Sequence, residues 1–189
     1  MPDRDTFKEW ERSREEEYFH KKEHELIEKM HLRAQAEAER TKMAEASGIT
    51  DDEVLSELQE TGYTHETVTL AWLVPLVQVA WVDGGLTSLE REEILEMARL
   101  RGVAEASPAD EKLAEWMETR PTDQFFQRNL QLLRSMLRSM SSGQREVTKR
   151  EMLAGCHTVA GVSGGVLGIG HKLSREEHAL IDRIAAALE

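Results

Sequence analysis

The spacing of apolar residues divides the chain into stretches of different periodicity. From Asp5 to Ala46 the sequence is almost free of Pro and Gly and dense in Glu, Lys and Arg. Its apolar residues (Phe7, Trp10, Tyr18, Phe19, Leu26, Ile27, Met30 and Met43) are sparse but recur near helical spacing. Many acidic residues precede a basic one by three or four positions, as Glu17 precedes Lys21 and Glu25 precedes Lys29, which supports a solvated helix. A stripe this thin buries little by itself. The pattern therefore predicts a charged helical arm over residues 1–47 that docks on the body or on another chain. Gly48 ends it. Thr50, Asp51, Asp52 and Glu53 read as a capping box opening a short helix to about Glu60, stopped by Gly62, so that residues 48–63 form a link.

Beyond residue 64 the apolar density rises and turn signals come at regular intervals. Thr64 is placed to cap an apolar helix from His65 to Val82, kinked at Pro75. Leu70–Val82 has no polar face, which puts that helix in the middle of the core. After Asp83, Gly84 and Gly85 a second helix runs from Ser88 to Leu100. Ser107 caps a helix that begins at Pro108 and reaches about Thr119, with Trp116 and Met117 on its apolar side. Thr122 opens another to about Met140, with Phe125, Leu130, Leu133, Met136 and Leu137 at core spacing. Ser141, Ser142 and Gly143 break it. Two last helices, 145–162 and 175–188, flank a Gly-rich loop. The predicted class is all-α: a long N-terminal helix plus a helical bundle over 64–189.

Within that bundle the sequence repeats itself. Val79-Ala80-Trp81-Val82-Asp83-Gly84-Gly85 aligns with Val159-Ala160-Gly161-Val162-Ser163-Gly164-Gly165. Leu86, Thr87, Glu90, Ile94 and Ala98 then match Leu173, Ser174, Glu177, Ile181 and Ala185. The offset grows from 80 to 87, so the second copy carries an insertion at 166–172. The copies, at about 65–102 and 145–189, each predict an apolar helix, a Gly turn, a Ser/Thr cap with Glu three positions on, and an amphipathic helix. In these residues the chain resembles the TerB-like helical domains of tellurite-resistance systems: small apolar residues, Asp-Gly, a hydrophobic residue, a cap, and Glu seven positions after the Asp. The likeness covers about 65–189, is strongest over Val77–Leu100, and does not extend to the arm. It implies an all-helical domain of stress-response or membrane-associated signalling systems, often fused to other modules, with acidic residues proposed to bind divalent cations. Asp83 and Glu90 hold those places here. In the second copy Ser163 stands where the Asp is expected.

Candidate chemistry is thin. Asp83, Glu90 and Glu93 are the best candidates for a cation site, because a tight turn can converge their oxygens and hard cations such as Ca²⁺ or Mn²⁺ want several. The segment mimics the back half of an EF-hand loop, but Val79 and Trp81 fall where ligands would be needed, so it is not an EF-hand. Thr87 and Ser174 as caps, with Asp-Gly as a turn, account for the same residues without a metal. His20, Glu23 and His24 match the inverted zinc-protease spacing and give a zinc-hydrolase alternative, although flanking lysines fit a solvated face. Gly165, Gly168, Gly170 and Lys172 approach a phosphate loop, but His171 separates the last Gly from the Lys and no strand precedes them. Cys156 and His157 occupy the places of Leu76 and Val77 in the first copy, which predicts that both are buried. Trp10, Trp72, Trp81 and Trp116 read as core or docking anchors.

Charge and composition narrow the partners. The net charge is −12, and it is uneven: −8 over residues 1–60, −7 over 61–118 and +3 over 119–189. With no concentrated basic stripe, nucleic acid is not an expected partner. A single cysteine excludes an intramolecular disulfide framework and fits a reducing compartment. Met1-Pro2-Asp3-Arg4-Asp5 lacks the basic and then apolar run of a secretory signal, and Leu70–Val82 is too short to span a bilayer. The expectation is a cytoplasmic, non-enzymatic interaction module that engages another protein or itself through the arm and meets membranes only through partners. A divalent-cation sensor at the Asp83/Glu90 turn is the alternative within binding functions.

Overall fold

Helix starts and stops follow the local chemistry of caps and turns closely. The computed structural model describes residues 4–163 and 173–189, and the side chains of residues 14, 17–162 and 173–189. Among the described residues all regular structure is helical, so the all-α class holds. The chain divides into two compact units, Met1–Thr41 and Lys42–Glu189.

The first unit is the greater part of one helix, α1 (Arg4–Ser47). The helix ends where Gly48 adopts φ +71°, a left-handed conformation that Gly adopts without steric cost, and the Gly48 N–H closes on the Ala44 carbonyl at 2.8 Å. The last residues of α1 belong to the second unit, and Met43 there is fully buried.

In the second unit α2 (Asp52–Glu60) is capped by Asp51, not by a box beginning at Thr50. Asp51 has the extended backbone of a cap (φ −83°, ψ 113°), and its Oδ1 accepts from the N–H groups of Glu53 at 3.0 Å and Val54 at 3.3 Å. The expected single helix from His65 to Val82 is also corrected. Residues 65–67 form turns, Val68–Leu73 is a 3₁₀ helix, and a fresh α-helix, α3 (Val74–Ala80), starts with Pro75 in its first turn. Proline has no N–H to give the Ala71 carbonyl and its ring collides with that group, so a new α-helix begins at Val74, with the proline in its first turn, instead of one helix bending through it. The burial expected of this segment holds: Val68 and Leu70–Val77 are all buried.

Around α3 pack α4 (Ser88–Leu100), α6 (Asp123–Ser139), α7 (Ser142–Ser163), α8 (Arg175–Ala187) and the 3₁₀ helix. In addition α4 lies along α7, and α2 along α6. α5 (Pro108–Glu118) follows its cap Ser107, whose side chain accepts the Asp110 N–H at 3.2 Å. On α6 the buried side is Phe126, Asn129, Leu132, Leu133, Met136 and Leu137, whereas Phe125 and Leu130 are half-buried. α7 starts three residues earlier than the Ser141–Gly143 break suggested. Ser142 and Gly143 form its first turn, and Arg145 folds back to donate to the carbonyls of Leu137, Arg138 and Met140 at 2.9, 3.1 and 3.3 Å, closing the open end of α6.

The matched segments share several environments. Val79 and Val159 are fully buried, as are Ala80 and Ala160, and Ile94 pairs with Ile181 as a core residue. They also differ. The seven-residue α3 continues a 3₁₀ helix, whereas α7 is an unbroken helix of 22 residues. Val77 is buried while His157 is exposed. Gly164, Gly165 and the 166–172 insertion, with its phosphate-loop pattern, lie outside the described residues.

Candidate functional site

The acidic turn is organised by two capping boxes of nearly the same geometry. At the start of α4 the Thr87 N–H and Thr87 Oγ1 both donate to Glu90 Oε2, at 2.7 and 2.8 Å, and the Glu90 N–H donates to Thr87 Oγ1 at 3.2 Å. At the start of α8 the Ser174 N–H donates to Glu177 Oε2 at 2.6 Å, and the Glu177 N–H to Ser174 Oγ at 3.1 Å. Each box satisfies two amides that a helix N-terminus otherwise leaves open. Both glutamates are 3% exposed and are among the few buried charged residues. The dipole of the helix start adds favourable positive potential there.

Asp83 is exposed, Gly84 takes φ +86° to reverse the chain, and Gly85 follows in open space. Neighbouring contacts hold the turn in place: Trp81 Nε1 donates to the Trp116 carbonyl at 2.9 Å, and Arg91 Nη2 to the Met117 carbonyl at 2.9 Å. Glu93 is half-buried on the next turn of α4. Asp83, Glu90 and Glu93 are not brought together as ligands: among the described residues no three His, Cys, Asp or Glu side chains gather in a group able to hold a metal ion. The Glu90 carboxylate accepts from the Thr87 cap through Oε2.

On α1, His20, Glu23 and His24 are all exposed on a charged helix. A hydrolytic zinc site needs a walled cavity and a third ligand, and these three side chains do not gather into a group able to hold a metal ion. Tyr18, Phe19, Leu26, Ile27, Met30 and Leu32 are between 49% and 66% exposed. Leu26 and Ile27 lie seven and eight positions after Phe19, and Met30 lies four and three after them, so the four share one flank of the helix over about 16 Å. Tyr18 stands beside Phe19, with ring centres 6.1 Å apart, and the Lys22 ammonium lies 5.9 Å from the Tyr18 ring. The side chains of Phe7 and Trp10 fall outside the described residues.

In the second unit a cleft of about 510 Å³ opens between α3, α4 and α7. Leu76, Met97 and Met152 line it, and Arg101 and Glu151 flank it. Burial lowers the affinity of the Arg101 guanidinium for its proton, against the opposing pull of Glu151. Gly155 belongs to the wall: a Cβ there would meet Met97 Sδ at 3.2 Å. The Thr158 hydroxyl in this lining donates to the Ala154 carbonyl of its own helix at 3.1 Å. Cys156 is fully buried, as expected, and its burial pushes the thiol pKa up to about 12, the reverse of what an activated nucleophile needs. His157 corrects the expectation of burial. It points outward on α7 because an unbroken helix turns successive residues by about 100°, and Cys156 takes the inward direction. Sequence reasoning missed its neighbour His178, on α8, whose ring centre stands 6.4 Å away.

Among the described residues no helix is long and apolar enough to cross a membrane. Comparison with protein-family models, with curated proteins and with solved structures gives no match.

Proposed function

We propose that this chain is a non-enzymatic helical interaction module whose α1 arm docks another protein or a second copy of itself. The carrying observation is the row of exposed Phe19, Leu26, Ile27 and Met30 on one flank of an otherwise highly charged helix. Large apolar side chains grouped on a solvated helix mark a recognition surface, read by a partner groove or helix through anchors at this spacing. The capping geometry supports a structural role for Glu90 and Glu177. The TerB-like resemblance of Val77–Leu100 supports a place in a stress-response system, and the single buried cysteine supports a cytoplasmic one.

Removal of residues 1–41 tests this reading. The remaining chain should keep its cooperative thermal transition, because its core is self-contained, and should lose the dimer or the heterologous complex that the full chain forms. An unchanged solution mass and unchanged partner set would refute the docking role.

A further inference from the structure

We infer that His157 and His178 form a two-histidine site for a late first-row divalent cation, of the Zn²⁺, Ni²⁺ or Cu²⁺ kind, that staples α7 to α8. The two imidazoles come from different helices, stand 6.4 Å apart centre to centre at an interplanar angle of 65°, and are both exposed. A tetrahedral ion with metal–nitrogen bonds of about 2.1 Å holds two imidazole centres roughly 5.3 Å apart. Closing the gap needs about 1 Å, a small side-chain rotation for two solvent-facing rings. The helix pair beneath them is already fixed. α7 and α8 pack together antiparallel, buried Val159 and Leu180 lie close by in sequence, and at the far end Lys149 reaches Glu189 at 3.6 Å.

The donor chemistry selects the ion. Imidazole nitrogen suits Zn²⁺, Ni²⁺ and Cu²⁺, whereas Ca²⁺ and Mg²⁺ want oxygen. Among the described residues no third His, Cys, Asp or Glu joins the pair to make a larger group. Water therefore fills the remaining positions, and the site is an open one that binds and releases. This differs from the acidic-turn expectation in place, in ligands and in ion, and it does not depend on what α1 docks.

The test must silence one confounder. His20 and His24, one turn apart on exposed α1, are a second two-histidine arrangement. The full chain carrying His20→Ala and His24→Ala is titrated with Ni²⁺ by calorimetry and by thermal melting. One ion should bind per chain, and at nickel tenfold above the dissociation constant the melting temperature should rise by about 3–5 °C. Adding His157→Ala or His178→Ala should weaken binding at least tenfold and abolish the rise, while Ca²⁺ should give no rise in any variant. Both positions are exposed on helices, where alanine is well tolerated, and far-UV circular dichroism of each variant verifies the fold. Nickel binding that survives either substitution, or no binding at millimolar nickel, would overturn the proposal.

Discussion

Truncation of Glu90 separates a cap from a metal ligand. In Glu90→Ala the Thr87 N–H loses a charge-assisted acceptor at 2.7 Å, the Thr87 hydroxyl loses one at 2.8 Å, and a buried side chain is removed from the start of α4. Loss of a cap interaction costs about 1 kcal/mol, and a buried hydrogen bond to a charged group contributes about 1.5–3 kcal/mol net of exchange with water. Thr87 itself is exposed, so water recovers part of the loss, and the net cost should be about 1–2 kcal/mol. For a chain of this size that lowers the melting temperature by roughly 3–6 °C. Glu90→Gln keeps an acceptor but not the charge and should cost about half as much. Glu177→Ala removes the same construction from α8 and should agree with Glu90→Ala within about 0.5 kcal/mol. The assay is urea and thermal denaturation in chelator-treated buffer, repeated with millimolar Ca²⁺ and Mn²⁺. A cost below about 0.5 kcal/mol without metal, or a wild-type stabilisation by Ca²⁺ that Glu90→Gln abolishes, would refute the capping account.

Further predictions follow from the core and its closures. Tyr63 Oη donates to Asn129 Oδ1 at 2.5 Å, and Asn129 Nδ2 donates to the Phe125 carbonyl at 2.9 Å, so Tyr63→Phe should leave a buried acceptor unmatched and cost about 1–3 kcal/mol in urea unfolding. Burial raises the pKa of Cys156 from about 9 to about 12; a group whose folded pKa is raised contributes stability fully below its unfolded value. That contribution should fade as pH climbs from about 9 toward 12, Cys156→Ala should flatten this alkaline slope, and a thiol reagent should label wild type only as fast as it unfolds. Arg145→Ala should remove three hydrogen bonds at the end of α6, where among the described residues only the Leu137 carbonyl keeps another donor, the Met140 N–H. It should cost about 1–2 kcal/mol, measured by denaturation, while Arg145→Lys should recover only part of this because it lacks the forked donor.

Much of the fold could be read from punctuation in the sequence. Thr87, Ser107, Thr122 and Ser174 each cap the helix they were expected to open, and Gly48 and Gly62 end helices with positive φ. These signals are local: a short polar side chain and a missing Cβ act within one turn, whatever the rest of the chain does. Where the reading failed, tertiary context or a competing local choice decided. Thr50 and Asp51 are both good caps, and the backbone selected Asp51. Pro75 was compatible with a kink or with a new start, and packing of the whole Leu70–Val77 segment allowed the start. Burial of His157 was inferred from its match to Val77, but α3 is packed on nearly every side whereas α7 keeps an exposed one, so an equal place in the alignment met solvent instead of core. The proximity of His157 to His178 depends on how two helices cross and left no mark in residue spacing. The exposed flank of α1, by contrast, was visible from the start as an apolar stripe too thin to form a core.

The claim that α1 is a recognition surface with one sticky flank is tested most directly by photo-crosslinking in cells. A benzoylphenylalanine side chain replaces Phe19 or Leu26 on the apolar flank, or Lys21 or Glu28 on the opposite side of the helix. Discrete crosslinked products, with a second copy or with another protein, should form from positions 19 and 26 and drop several-fold at 21 and 28. Equal yields from the two flanks, or no product from any of the four positions, would contradict the account.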